Sequence, residues 1–177
     1  MNMLAELIIG GGCFWCTEAM FLSLDGVTKV ESGYSGGTVK NPSYKEVCTG
    51  ETGHAECVRI TYDPTKISYD DLIDIHLHSH DPTTLNRQGG DIGTQYRSVI
   101  FYKTENEKKH LAERLKLAQK DFPKPIVTTL EKMTVFYIAE DYHQNYYALN
   151  KDKNPYCQVV SEKLYKMMKK YSSKLKK

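Results

Sequence analysis

Two cysteines, one carboxylate and a group of loop tyrosines carry the chemistry open to this chain. Near its start, Gly10-Gly11-Gly12-Cys13-Phe14-Trp15-Cys16 places a thiol after three glycines and a second thiol three residues on. Glycines permit a sharp turn and the close approach of another group. The first turn of a following helix offers free N–H groups and the positive end of its dipole. Both favour a thiolate, so Cys13 is expected to have a lowered pKa and to act as a nucleophile. Cys16 lies one helical turn further on the same side. The pair is open to three uses: a redox C-x-x-C, one nucleophile with a neighbour, or half of a zinc site. Zinc needs two more ligands, and neither Cys48, Cys57 nor the run from His76 to His80 forms a second C-x-x-C. No metal is expected, His76 and His80 are expected to be ordinary, partly exposed side chains, and Cys48 and Cys57 structural.

Strand alternation over Ala55 to Tyr62 puts Glu56, Val58, Ile60 and Tyr62 on one face, with Glu56 its only charge. If that face meets the core, burial raises the carboxyl pKa and keeps it protonated near neutral pH, the state of a general acid. The competing reading makes Glu56 the exposed start of the strand. Tyr44, Tyr96, Tyr142, Tyr146 and Tyr147 fall in polar loop segments. Phenols there polarise a substrate oxygen or serve as amphipathic surface.

The elements that must position these groups follow from pattern. Leu4 to Ile9 reads as a buried strand, Cys13 to Leu24 as a helix ended by Asp25-Gly26, and Val27 to Tyr34 as a second strand. Ser35 to Gly53 is expected to be loop. After the strand to Tyr62, Ser68 caps a helix to His78. His80 to Gly93 is loop, and Arg97 to Tyr102 a strand. Thr104 caps a charged helix to about Asp121. Met133 to Ala139 is expected as a strand, with a short helix from about Asp141 and a terminal helix from about Val159. The order βαββαβ with additions predicts an α+β two-layer sandwich, with a split βαβ or ferredoxin-like core, extra helices and long loops.

The 177 residues, without repeat or linker, suit one domain over 1–177. A net charge of +2 gives no reason to expect a nucleic-acid partner. The lysines from Ser161 onward read as a solvated helix face. No apolar run is long enough for a membrane span, and the first residues lack the pattern of a signal peptide. The expected location is the cytoplasm, where the five cysteines stay largely reduced. Nothing demands an oligomer, so a monomer is expected.

Nearly the whole chain, about 7 to 164, resembles the A-type peptide methionine sulfoxide reductases. The matching segments are GCFW at 12 to 15, GYSGG at 33 to 37, NPSYKEVCTGETGHAE at 41 to 56 and TYDP at 61 to 64. HDPTTLNRQGGDIGTQYRS at 80 to 98 and AEDYHQNYYALN at 139 to 150 complete the set. The resemblance implies that Cys13 attacks the sulfoxide sulfur, Glu56 protonates the departing oxygen, and Tyr44 and Tyr96 hold that oxygen. It implies a methyl pocket from Phe14 and Trp15, substrate-site roles for Asp91, Tyr146 and Tyr156, and support from His143. It also implies selectivity for the S epimer, no cofactor, and recycling by a thioredoxin-like reductant. The chemistry agrees, because a soft thiolate and a protonated carboxyl supply attack and proton together. Cys157, beside Tyr156, matches the position of a recycling cysteine in several members. Cys16 departs from most members and stands as an equal candidate, and an external thiol is a third route. Gly90 replaces a common asparagine. The alternative function is a general thiol–disulfide oxidoreductase using Cys13 and Cys16.

Overall fold

The computed structural model describes residues 3–177; residues 1 and 2 of the expected domain and N-terminal segment lie outside the described residues. Strand β1 (Ala5–Gly10) leads into helix α1 (Phe14–Leu22), and strand β2 (Val27–Ser35) returns across the sheet. A short helix α2 (Tyr44–Cys48) precedes strand β3 (Ala55–Tyr62) and helix α3 (Tyr69–Ser79). A small hairpin, β4 (Arg87–Gln88) and β5 (Asp91–Ile92), is followed by β6 (Val99–Tyr102) and helix α4 (Glu105–Ala118). The chain ends with β7 (Thr129–Lys132), β8 (Tyr137–Ile138), α5 (Tyr146–Asn150) and α6 (Cys157–Lys170).

The main sheet runs β7-β6-β1-β3-β2-β8. Its central strands β6, β1, β3 and β2 pair antiparallel, in the order that a βαββαβ chain takes in a split βαβ unit. The expected α+β sandwich is therefore present, enlarged by one strand at each edge. Side chains alternate across the sheet as the pleat requires. Leu7, Ile9, Val58 and Ile60 face the helices and pack with Phe14, Phe21, Leu72 and Ile75. Ile8, Ala55, Cys57, Val99 and Phe101 form a smaller cluster on the opposite face.

Expectations about three segments and one side chain are corrected. The loop expected over 80–93 contains the β4–β5 hairpin. The segment 35–53 contains α2, which Ser43 and Glu46 close with reciprocal side-chain bonds at its N-terminus. The strand expected over Met133 to Ala139 shrinks to Tyr137–Ile138. The preceding strand lies at Thr129–Lys132, where it pairs parallel with β6. The chain must leave one sheet edge and reach the other, so most of 133–139 serves as the crossing. His76 is buried, not partly exposed: it stacks on His80 with ring centroids 4.3 Å apart, and desolvation keeps both rings neutral, His80 lowered to about 4. Cys57 is buried as expected of a structural cysteine, whereas Cys48 is exposed at the end of α2, with its thiol hydrogen-bonded to Tyr44.

Candidate active site

The glycine run is a tight joint. A side chain on Gly10 would come within 2.7 Å of the Glu56 carbonyl oxygen, so only glycine lets β1 end against the strand that carries the carboxylate. Gly12 has φ +83°, a left-handed conformation that costs other residues energy. Its N–H donates to the Tyr96 carbonyl at 3.1 Å, which draws the 94–96 turn toward the thiol. Cys13 follows as the N-cap of α1, buried at 7% exposure.

Glu56 is 1% exposed on the core face, so the exposed-start reading fails. The Phe14 N–H, a free donor of the first helical turn, donates to Glu56 Oε1 at 3.2 Å. Oε2 is buried and has no hydrogen-bond partner among the described residues. Desolvation pushes the Glu56 carboxyl up to about 8; the Phe14 bond opposes this, and the nearby Asp91 adds to it. At neutral pH Glu56 is a carboxylic acid beside a thiol, with one oxygen uncommitted.

The thiol itself departs from expectation. Burial raises Cys13 rather than lowering it, and its hydrogen bond to Cys16 and the nearby Glu56 push the same way. The Trp15 N–H favours the thiolate but is the smallest of the causes. Desolvation outweighs the helix N-terminus here. Cys16 shifts the other way, chiefly because it accepts the Cys13 hydrogen bond. Cys157, at the start of α6, is fully buried and raised by desolvation and by Cys16. The three thiols thus form one cluster between α1 and α6.

Aromatic rings wall the site. Trp15 stacks on Tyr146 with centroids 3.8 Å apart and planes 6° from parallel, and meets Tyr156 edge-on at 5.9 Å. Its indole N–H donates to His143 Nδ1 at 3.0 Å. His143 is fully buried, with Phe14 at 5.1 Å and Tyr44 at 4.3 Å. The Tyr156 hydroxyl donates to Asp91 at 2.7 Å. Desolvation first, and then Glu56, raises both Tyr44 and Tyr96, so each is a neutral phenol able to donate to oxygen. Every expected site residue joins this cluster.

Three residues not singled out from the sequence hold it in place. Glu18 on α1 accepts the Asn145 N–H at 2.7 Å and a weaker bond from Ser32. Glu140 accepts the Tyr44 N–H at 3.0 Å and the Tyr34 hydroxyl at 2.9 Å. The Gln144 amide bonds both backbone groups of Ser32 on β2. The lone charge in FWCTEAMFL was the available signal for Glu18. Among the described residues no group of three His, Cys, Asp or Glu side chains is arranged to hold a metal ion.

Fold and site together fit a thiol oxidoreductase with a protonated carboxyl beside the buried Cys13 thiol. The family model described as peptide methionine sulfoxide reductase matches residues 5–176. A Deinococcus radiodurans protein named peptide methionine sulfoxide reductase MsrA is 52% identical over 173 residues, 97% of this chain and 84% of its own. Mxr1 from Saccharomyces cerevisiae in reduced form superposes with TM-score 0.81 at 36% identity, covering 85% and 88% of the two chains. Mxr1 in complex with Trx2 superposes with TM-score 0.58 at 26% identity, covering 81% and 84%. This chain belongs to the peptide methionine sulfoxide reductase family, and its activity is the thiol-dependent reduction of methionine sulfoxide. The alternative of a general thiol–disulfide oxidoreductase is not favoured.

Proposed function

We propose that Cys13 attacks the sulfur of methionine S-sulfoxide while Glu56 gives its proton to the departing oxygen. The observation that carries this is the buried Glu56 carboxyl, anchored through Oε1 to the Phe14 N–H and unpartnered at Oε2. Tyr44 and Tyr96 donate to the same oxygen. Phe14 and Trp15, backed by Tyr146 and His143, receive the methyl group, and Asp91 with Tyr156 orients the substrate from the hairpin side. As the bond between Cys13 and the substrate sulfur forms, the Cys13 proton passes to the Glu56 carboxylate; that bond then breaks as the protonated oxygen moves to Cys13. The products are methionine and a Cys13 sulfenic acid: substrate sulfur is reduced by two electrons and Cys13 sulfur oxidised by two.

Cys16 then attacks the sulfenic acid, which forms a Cys13–Cys16 disulfide and releases water. The hydrogen-bond contact between the two sulfurs favours Cys16 as first resolver. Cys157 takes over the bond to Cys16, freeing Cys13, and a thioredoxin-like dithiol reduces the resulting disulfide. The complex of the related Mxr1 with Trx2 supports that class of reductant. The cycle begins from free thiols, which suits the cytoplasm.

Given a methionine sulfoxide peptide of mixed configuration and excess dithiothreitol, the protein should consume the S epimer and leave the R epimer. The Cys13→Ser variant should consume neither. Turnover by Cys13→Ser would overturn the assignment.

A further inference from the structure

Strand β8 is the last strand of the sheet, so one of its sides lacks a neighbouring strand. Its register with β2 is Gly33↔Ile138 and Tyr34↔Tyr137, and the Ala139 N–H donates to the Ser32 carbonyl at 2.9 Å. In an antiparallel pair, hydrogen-bonded and non-hydrogen-bonded positions alternate. Tyr137 and Ala139 therefore turn their backbone groups toward β2, and Ile138 turns its N–H and C=O outward. Edges of this kind are usually blunted by charge or proline. Here the run is Val135-Phe136-Tyr137-Ile138, with Val135 49% and Ile138 55% exposed.

A groove of about 470 Å³ runs along this strand. Residues 41–43, Phe136, Tyr137, Ile138 and Glu140 line it. Glu140 is the residue that accepts the Tyr44 N–H, and the Tyr44 ring packs on His143 in the substrate site. The groove therefore adjoins the Tyr44 backbone, through Ser43 next to it in the chain and Glu140 bonded to its N–H.

We propose that this groove binds the extended polypeptide flanking an oxidised methionine, which adds as a strand to β8 through the Ile138 N–H and C=O. The proposal rests on the placement of the sulfoxide beside Tyr44. Recognition of this kind reads backbone, with side chains of alternate residues entering the groove. At ~3.3 Å per residue, a few residues on one side of the methionine are enough to engage it. Because it depends on main-chain groups, it accepts many sequences while requiring a segment that is unfolded or extended. Folded helices, whose main-chain groups are already paired, would not qualify.

The test compares kcat/KM for a small substrate, N-acetyl-methionine sulfoxide amide, with that for a ten-residue peptide carrying a central methionine sulfoxide among valines and threonines. Ile138→Pro removes the outward N–H at an edge position that tolerates proline. Loss of one such hydrogen bond should lower kcat/KM for the peptide about tenfold and leave the small substrate within about twofold. A scan of N-methyl groups along the peptide, run on the unaltered protein, covers the case in which the variant does not fold. Losses of about tenfold at alternate flanking positions are expected, because only every second residue faces the edge. Equal effects on both substrates, or no loss from any N-methyl group, would overturn the proposal. So would a protein dimer that Ile138→Pro dissociates while both substrates react as before, since a second copy would then be the occupant. Failure of the unaltered protein on both substrates would instead refute the catalytic reading.

Discussion

The Phe14 N–H and Glu56 Oε1 lie 3.2 Å apart, and this bond joins the first turn of the helix that follows Cys13 to the strand that carries Glu56. It fixes one carboxyl oxygen and leaves the other for the substrate. It also sets thiol and acid at one distance, since Cys13 is the residue before Phe14.

With Glu56 protonated up to about 8, kcat/KM should fall as pH rises through that value. Glu56→Gln should lower kcat/KM by about 10²–10⁴-fold, the usual range for a general acid, and abolish the alkaline limb. An unchanged profile in the variant would remove the acid role.

The same carboxyl should cost stability. Below the ordinary carboxyl pKa, folded and unfolded chains are both protonated at this site. Between about 4.5 and about 8 the unfolded chain ionises while the folded one does not, so stability falls across that window. Glu56→Gln removes this titration. Its melting temperature relative to the parent should rise between pH 5 and pH 8, by several degrees at the upper end. A difference that is flat with pH would contradict the burial argument.

The thiol cluster predicts an order of disulfides. One equivalent of sulfoxide without reductant should first yield a Cys13–Cys16 bond by mass mapping, and later a Cys16–Cys157 bond. Cys157→Ser should stop at the first bond, still release one methionine, and turn over slowly with thioredoxin. A direct Cys13–Cys157 bond formed in the parent before any Cys13–Cys16 bond would reverse the assignment of Cys16.

Trp15 is the only tryptophan, so its fluorescence reports the pocket. Glu18 holds the Asn145 turn that presents Tyr146 to Trp15. Glu18→Ala should red-shift the emission and raise KM by about three- to tenfold, as expected for a lost aromatic stack. Glu18→Gln keeps an acceptor for the Asn145 N–H and should restore much of both. A KM unchanged in Glu18→Ala would show that the Trp15 wall is held elsewhere.

Much of this site was legible before the fold. The alternation of β3 put Glu56 on the apolar face, and the glycines marked the turn before Cys13. The βαββαβ order was enough for the central four strands. What escaped depends on tertiary contact. A five-residue helix such as α2 is too short for periodicity to show, and Tyr44 consequently read as loop. The half-exposed Thr-Leu-Glu-Lys of β7 is a strand because β6 lies beside it. Cys13 sits at a helix N-terminus, as read, but the packing of α1 against β3 and α6 buries it and reverses its expected shift. Glu140 and Gln144 act through backbone groups about 100 residues away, which no local pattern announces.

The central claim is that Cys13 takes the sulfoxide oxygen. A variant retaining Cys13 alone, with Cys16, Cys48, Cys57 and Cys157 replaced by serine, can be mixed with one equivalent of methionine sulfoxide peptide and dimedone, without reductant. One methionine released per protein and dimedone attached at Cys13, the mark of a sulfenic acid, are expected. Release of methionine with Cys13 unmodified, or no release from a variant that folds and binds the peptide, would contradict that claim.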